Sequence, residues 1–449
     1  MRRALALTLA LALSACDLTP AYRRPEVPQP AAWPQAEATA VPLPENWWHS
    51  FGSPALDTLE ETALAANQDL AAAVARIAQA RAIAASADAA QWPRLDATLG
   101  TTHSQGSGRI GSASADGTRR SAGLSAAYEV DLFGRVAATR SAAGQRLVAS
   151  AFDYQALRLL TSAEVAQAAF GIAATRERLA LAQANLDNAR AVLAILDAQV
   201  AAGRVSDLER VQQRSVVATT EGAMAALAQA EAGYRNQLAV LSGAASPEFV
   251  APELPWQELI LPEEKPAVPA ALLTRRPDLR RAEAELQAAG ADIGVARAAL
   301  YPGVQIAWDR SWTRNPAATL TTLGASALAP IFHGGALRSE VERTQAREAE
   351  LVAQYRSAVL TAYGEVSDAL DAQRQSALRS TALDRAAAAA RDAYAGARAR
   401  FDAGAVDYQT LLDVQRSLIL TEDAAASARL DRFTAAVSLY RALGGGSAP

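Results

Sequence analysis

Few side chains in this 449-residue sequence are placed to do chemistry. The only histidines, His49, His103 and His333, are scattered, and none has metal-ligand spacing. There is no phosphate-cradling glycine loop with its lysine and no nucleophile elbow. An enzyme is therefore not expected, and neither is a cofactor or a metal. The one reactive position is Cys16. As the sole cysteine it cannot form a disulfide within the chain. It follows a basic start, Arg2-Arg3, and an apolar run over residues 4–13 that is too short to span a bilayer. Leu13-Ser14-Ala15-Cys16 then reads as a lipobox, making residues 1–15 a cleaved leader and Cys16 the carrier of a covalent lipid. One acyl anchor holds only modestly, so a second membrane element is expected.

No other apolar run approaches the roughly 20 residues that a membrane helix needs, so any span must be made of strands. A net charge of -4 gives no sign of nucleic-acid binding. Alanine is abundant, aromatics make up 6%, and charges are spread singly, a composition that suits long helices packed side by side.

The positioning framework is an internal repeat centred on Gly203 and Gly404. Asn67-Gln68-Asp69-Leu70 leads to Trp92-Pro93, and Arg276-Pro277-Asp278-Leu279 leads to Tyr301-Pro302, with 24 residues from aspartate to proline in both halves. Ala202-Gly203-Arg204-Val205 answers Ala403-Gly404-Ala405-Val406, and the halves close at Gly243 and Gly444. A chain built twice from one unit is a repeat architecture. Before it, residues 16–54 form a proline-rich arm ending in Asn46-Trp47-Trp48, whose tryptophans are expected to pack. The first repeat covers 55–243, a linker covers 244–269, and the second repeat covers 270–446.

Within each repeat the pattern predicts helices over 56–91, 135–202 and 206–242, then 270–300, 336–402 and 407–443. Val165, Ile172, Leu179, Leu186, Leu193 and Val200 recur every seven residues, with Ala168, Ala182, Ala189 and Leu196 as a second, mostly small seam. Glycines 203 and 404 are expected to cap the long helices in the left-handed conformation. Two short helices end to end match one long helix in length. Gly134 and Gly334 are expected to turn the chain from strand to helix.

Four segments alternate instead, at about 94–102, 121–131, 303–312 and 319–331, each close to the 9–11 residues of a tilted membrane strand. Four strands cannot close a barrel, and a bare sheet edge cannot face lipid. Copies of the chain must therefore pool strands: two copies give 8 and three give 12. The fold expected is mainly α, a coiled-coil helical tunnel continued by an oligomeric membrane β-barrel.

The order and spacing of several motifs resemble the outer-membrane efflux channel family, TolC/OprM-like, and within it the acylated NodT-like lipoproteins of RND-type efflux. These motifs are Cys16 with residues 20–28, Asn46-Trp47-Trp48, Tyr128-Glu129-Val130-Asp131-Leu132-Phe133-Gly134-Arg135, Arg275-Arg276-Pro277-Asp278, Pro330-Ile331-Phe332, Leu411-Leu412-Asp413-Val414-Gln415-Arg416 and Ala442-Leu443-Gly444-Gly445-Gly446. The resemblance implies a homotrimer with one 12-stranded barrel and a periplasmic helical tunnel. It also implies partnership with a periplasmic adaptor and an inner-membrane RND pump, passive conduction of drugs or other small molecules, and anchoring in outer-membrane lipid. The same resemblance implies a periplasmic gate at Asp413 and Arg416, with Asp207 and Arg210 as first-half counterparts. Where the family often has tyrosine, this sequence has Phe401. Arginine 276 and its neighbours read as structural: Pro277 suits a helix's first turn and Asp278 its positive end. A type I protein-secretion duct and a non-pore periplasmic scaffold are the alternatives.

Overall fold

The computed structural model describes residues 17–30, 33, 44–104, 109–110, 113–114, 117–262, 269–314 and 317–445, so Cys16 and the leader lie outside the described residues. The chain divides into two compact units, one formed by 1–26, 75–152 and 281–357, the other by 27–74, 153–280 and 358–449. The helices are α1 (Pro54–Ala66), α2 (Gln68–Ala89), α3 (Arg135–Ala201), α4 (Asp207–Leu241), α5 (Leu272–Arg275), α6 (Pro277–Ala298), α7 (Ala336–Asp402) and α8 (Tyr408–Ala442). The long strands are β1 (Arg94–Ser104), β2 (Gly117–Val130), β3 (Gly303–Arg314) and β4 (Ala318–Leu328). The first polar loop also holds a two-residue pairing, Arg109–Ile110 with Ala113–Ser114. The fourth strand stops at Leu328, short of the expected 331, because Pro330 has no N–H for a ladder.

In the first unit the four long strands form one antiparallel sheet in the order β1-β2-β3-β4. The β2–β3 pairing joins the two repeats, with Ala122 opposite Trp312 and Tyr128 opposite Ile306. Among the described residues no strand lies beside the outer edges of β1 and β4. Chain reversal from strand to helix uses Gly134 at φ 72 and Gly334 at φ 59, left-handed values that glycine adopts without a Cβ penalty. Asp131 accepts a hydrogen bond from the Ala137 amide at 2.8 Å in the first turn of α3. The arm is fastened to α6 in this unit. Arg24 grips Glu283 with two bonds of 3.0 and 2.8 Å, and the Tyr22 hydroxyl donates to the same carboxylate at 2.9 Å.

The second unit is organised around aromatic rings. Trp47 and Phe51 lie in a short 3-10 helix, Phe170 on α3, Trp256 in the linker, and Phe433 and Tyr440 on α8. Trp47 stacks on Tyr440 at 5.0 Å, Phe170 meets Phe433 at 5.1 Å, and Trp256 meets Phe433 at 4.9 Å. Full burial of such side chains stabilises by about 1.5–3 kcal/mol each. The linker is thus part of the core. The Ile260 amide donates to the Phe51 carbonyl at 3.0 Å, and Arg429 lies over the Trp256 ring at 5.3 Å. The heptad seam of α3 is buried at Val165, Ala168, Ile172, Leu186, Ala189 and Leu196.

The uninterrupted helices expected over 56–91 and 270–300 are each broken, at Asn67 and at Arg276. Asn67 is extended (φ -62, ψ 126), and its Oδ1 accepts from the amides of Asp69 and Leu70 at 3.0 Å, which starts a new helix. Its Nδ2 donates to the Leu241 carbonyl at 3.0 Å. Arg276 is also extended (φ -74, ψ 120), as a residue before proline should be. Its Nη1 donates to the Ala442 carbonyl at 3.1 Å, and its guanidinium also binds Asp278 and Glu365. Leu241 and Ala442 are the last residues of α4 and α8. Both repeats therefore use one joint: the side chain at the break ties down the end of the returning helix. Gly243 and Gly444 complete it at φ 66 and 91. A Cβ on Gly243 would collide with the Ala66 carbonyl oxygen, and one on Gly444 would sit 3.1 Å from the Arg275 carbonyl oxygen.

Candidate functional site

Two regions carry the geometry that bears on function: the faces of the sheet and the helix-reversal tip. Directly opposite residues share a face in an antiparallel ladder, so the register sorts every strand residue. One face carries Leu95, Leu99, Leu124, Tyr128, Ile306, Trp308 and Leu323. The other carries Asp96, Thr98, Ser125, Glu129, Gln305, Asp309 and Ser326, with glycines at 100, 123 and 324. Yet this apolar face is bare on the outer strands, Leu99 at 89% and Leu323 at 75%, and only half-buried at Leu124, Tyr128 and Trp308 on the inner ones. A hydrophobic face this bare requires lipid or protein against it. The face opposite it is mainly polar and suits water, although Leu320 and Leu328 also lie on it. Glu129 is gripped by Arg135 through two oxygens, at 2.7 and 2.5 Å.

The tip belongs to the second unit. Gly203 (φ 66) and Gly404 (φ 71) end α3 and α7. The Arg204 amide reaches back to the Gln199 carbonyl and the Ala405 amide to the Arg400 carbonyl, at 2.9 and 2.8 Å, the double-turn closure that a left-handed glycine permits. The returning helices open on equivalent caps. Ser206 accepts from the Leu208 amide, and Asp407 accepts from the Thr410 amide at 2.9 Å and from its hydroxyl at 2.6 Å. The Thr410 contacts hold the Asp407 carboxyl below its usual range.

Asp413 and Arg416 are both exposed on α8, one turn apart, and no ion pair joins them within the protomer. The Asp413 carboxylate accepts from Gln409 Nε2 at 3.0 Å. Asp207 and Arg210 stand differently: they pair with each other on the first turn of α4. Nor are they the repeat equivalents of Asp413 and Arg416, because the spacing that matches Gly203 to Gly404 sets Asp207 against Tyr408. Phe401 is nearly buried and meets Tyr408 edge-on at 6.4 Å.

Sequence reasoning missed the polar thread under the tip. The Tyr408 hydroxyl donates to Gln213 Oε1 at 3.0 Å, and Gln213 Nε2 donates to the Ala189 carbonyl at 2.9 Å, both in buried surroundings. Burial pushes the Tyr408 hydroxyl up to about 12. Further along, the almost buried Glu422 receives Arg391 at 2.6 Å and Asn185 at 3.1 Å, connecting α7, α8 and α3. Only the aromatic and amide types of these residues hinted at such roles. Among the described residues no group of histidine, cysteine or carboxylate side chains could hold a metal ion.

The sequence matches the family described as outer membrane efflux protein over residues 59–244 and 268–445. It is 39% identical over 455 residues to the pyoverdine export outer membrane protein OpmQ of Pseudomonas aeruginosa, covering 97% of this chain and 95% of that protein. It is 32% identical over 464 residues to outer membrane protein OprJ of the same species, covering 98% and 95%. The fold is similar to the open state of the Neisseria gonorrhoeae MtrE outer membrane channel, with a TM-score of 0.86, 28% identity, and coverage of 96% of this chain and 98% of that one.

Proposed function

The chain belongs to the outer membrane efflux protein family and is the outer-membrane component of a tripartite efflux system, and from that premise we propose that it is a passive exit duct for small molecules. The observation that carries this reading is the four-stranded sheet with one apolar face, one polar face and two unpaired edges. Three copies pair β1 of one with β4 of the next, and the 12 strands close with the apolar face to lipid and the polar face to water. A barrel of this size leaves a lumen, and the chain brings no energy source. An inner-membrane RND pump supplies the drive, and a periplasmic adaptor joins it to the duct. The pyoverdine export named for the relative OpmQ makes pyoverdine one cargo to test beside drugs and dyes. An acylated Cys16 adds an anchor in outer-membrane lipid.

Asp413 and Arg416 are the proposed gate. A lumen-facing pair on α8 occurs three times in a trimer, and a ring of like charges at a constriction favours an aperture that can move. Support comes from their exposure and from the absence of a bond between them inside the protomer. Two measurements test the function together: single-channel conductance of the purified mature protein in planar bilayers, and sensitivity of a gene-deletion strain to dyes, detergents and antibiotics. A water-soluble monomer that passes no ions would end the channel reading.

A further inference from the structure

Resting on the barrel reading above, we propose that the outward sheet face ends in a binding site for phosphate-bearing lipid headgroups of the outer leaflet. Arg120, Arg310 and Arg314 all lie on the apolar face, in register with Ala122, Leu124 and Trp312. Arg120 stands directly opposite Arg314 across β2 and β3. Like charges placed so destabilise a ladder unless an anion lies between them. Among the described residues none of the three arginines has a carboxylate partner. Arg314 closes β3 at the end of the sheet away from this unit's helices, and Arg310 lies two pleat repeats deeper with its guanidinium over the Trp312 ring at 5.1 Å. A shallow groove of about 560 Å³ runs between Leu99, Thr101, Arg120, Trp312 and Arg314.

Position decides the occupant. The second and third strands are the inner pair of the sheet, so the patch stays uncovered when copies join through β1 and β4. Facing lipid, arginine is tolerated near the interface and not at the bilayer centre, and aromatic rings mark the same level. The anion must therefore reside in the membrane. A guanidinium fork binds phosphate through paired hydrogen bonds, while Leu99 and Leu124 offer an apolar path for the attached chains. This fits a phosphorylated, multiply acylated headgroup better than a soluble anion.

The test uses the full-length protein in detergent, titrated with bis-phosphorylated lipid A and followed by tryptophan fluorescence and native mass spectrometry. Wild type should bind saturably. Arg120→Gln with Arg314→Gln should weaken binding at least tenfold, and Arg120→Lys with Arg314→Lys should recover part of it. Lipid A stripped of phosphate should bind no better to wild type than to the double glutamine variant. Equal affinity of wild type and that variant would overturn the proposal, as would displacement of lipid A by inorganic phosphate alone. Conductance in planar bilayers separates this idea from its premise: the glutamine variant should conduct like wild type, whereas a wild type that fails to conduct would sink the channel and leave the lipid titration readable.

Discussion

Replacing Gly243 by alanine, beside the same change at Gly203, isolates what the joint contributes to stability. Both glycines sit at φ 66. Placing an L-residue there costs about 1–2 kcal/mol in backbone strain. At Gly203 that is the whole effect, since nothing lies within 4 Å of the new Cβ. At Gly243 the Cβ meets the Ala66 carbonyl oxygen, which is backbone and cannot swing aside. The joint must open, and the neighbouring bond from Asn67 Nδ2 to the Leu241 carbonyl is the contact most exposed to that movement. A buried polar group left unpaired costs roughly 1–3 kcal/mol. Gly243→Ala should therefore lose about 2–5 kcal/mol, against about 1–2 for Gly203→Ala. The assay is thermal unfolding of the detergent-solubilised protein by circular dichroism, at one scan rate because unfolding of such assemblies is often irreversible. Asn67→Ala, which removes this bond and also the cap on the Asp69 and Leu70 amides but adds no strain, should lose about 1.5–5 kcal/mol, comparable to Gly243→Ala. If the two glycine variants melt together, the joint has no special role and the reasoning fails.

Glu60 predicts a pH effect. It is fully buried, neither carboxylate oxygen has a hydrogen-bond partner, and burial raises its pKa well above the usual range, with Asp57 adding to the rise and Ser162 and Arg158 opposing it. A carboxyl raised on folding favours the native state at low pH and loses that contribution as pH climbs past the unfolded value. Glu60→Gln should leave stability near wild type at pH below the ordinary carboxylate range and raise the melting midpoint progressively as pH climbs above that range toward and past neutrality; parallel pH profiles would contradict this. Tyr408→Phe should cost about 1–3 kcal/mol by leaving buried Gln213 without its donor, which denaturant titration of the two proteins would detect. Asp413→Ala with Arg416→Ala should raise conductance in planar bilayers, and unchanged conductance would remove the gate assignment.

The long elements were legible because their stop signals are strong. Gly203 and Gly404 mark helix ends through backbone conformation, and the seven-residue seam in α3 follows from burial of one helical stripe. The strands showed through alternation, although the excess length of β2, which begins at Gly117, was hidden because Gly117, Thr118, Arg119 and Arg120 carry no alternating apolar signal. The break at Asn67 was not legible. Good helix formers flank it, and its role as a cap depends on Leu241, far along the chain. In the second half Pro277 does warn of a break at Arg276, and the repeat would have transferred that warning to Asn67. The thread from Tyr408 through Gln213 to Ala189 joins three helices with no shared periodicity, so only coordinates reveal it. Asp207 and Arg210 resemble Asp413 and Arg416 in residue type and in their three-residue spacing, but they pair with each other on the first turn of α4 and the repeat spacing sets Asp207 against Tyr408.

The bare margins of β1 and β4 have a genetic consequence. A subunit whose β4 carries a proline with its missing N–H pointing away from β3 could still be gripped along β1, yet it would refuse the next neighbour. Co-produced with normal subunits in equal amounts, it would spoil every assembly it entered, and random mixing in threes would leave about one in eight intact. Such an allele would be dominant, and a plasmid-borne copy in a wild-type strain would lower export toward that of the deletion strain; a recessive allele would mean that assembly screens its members before they join.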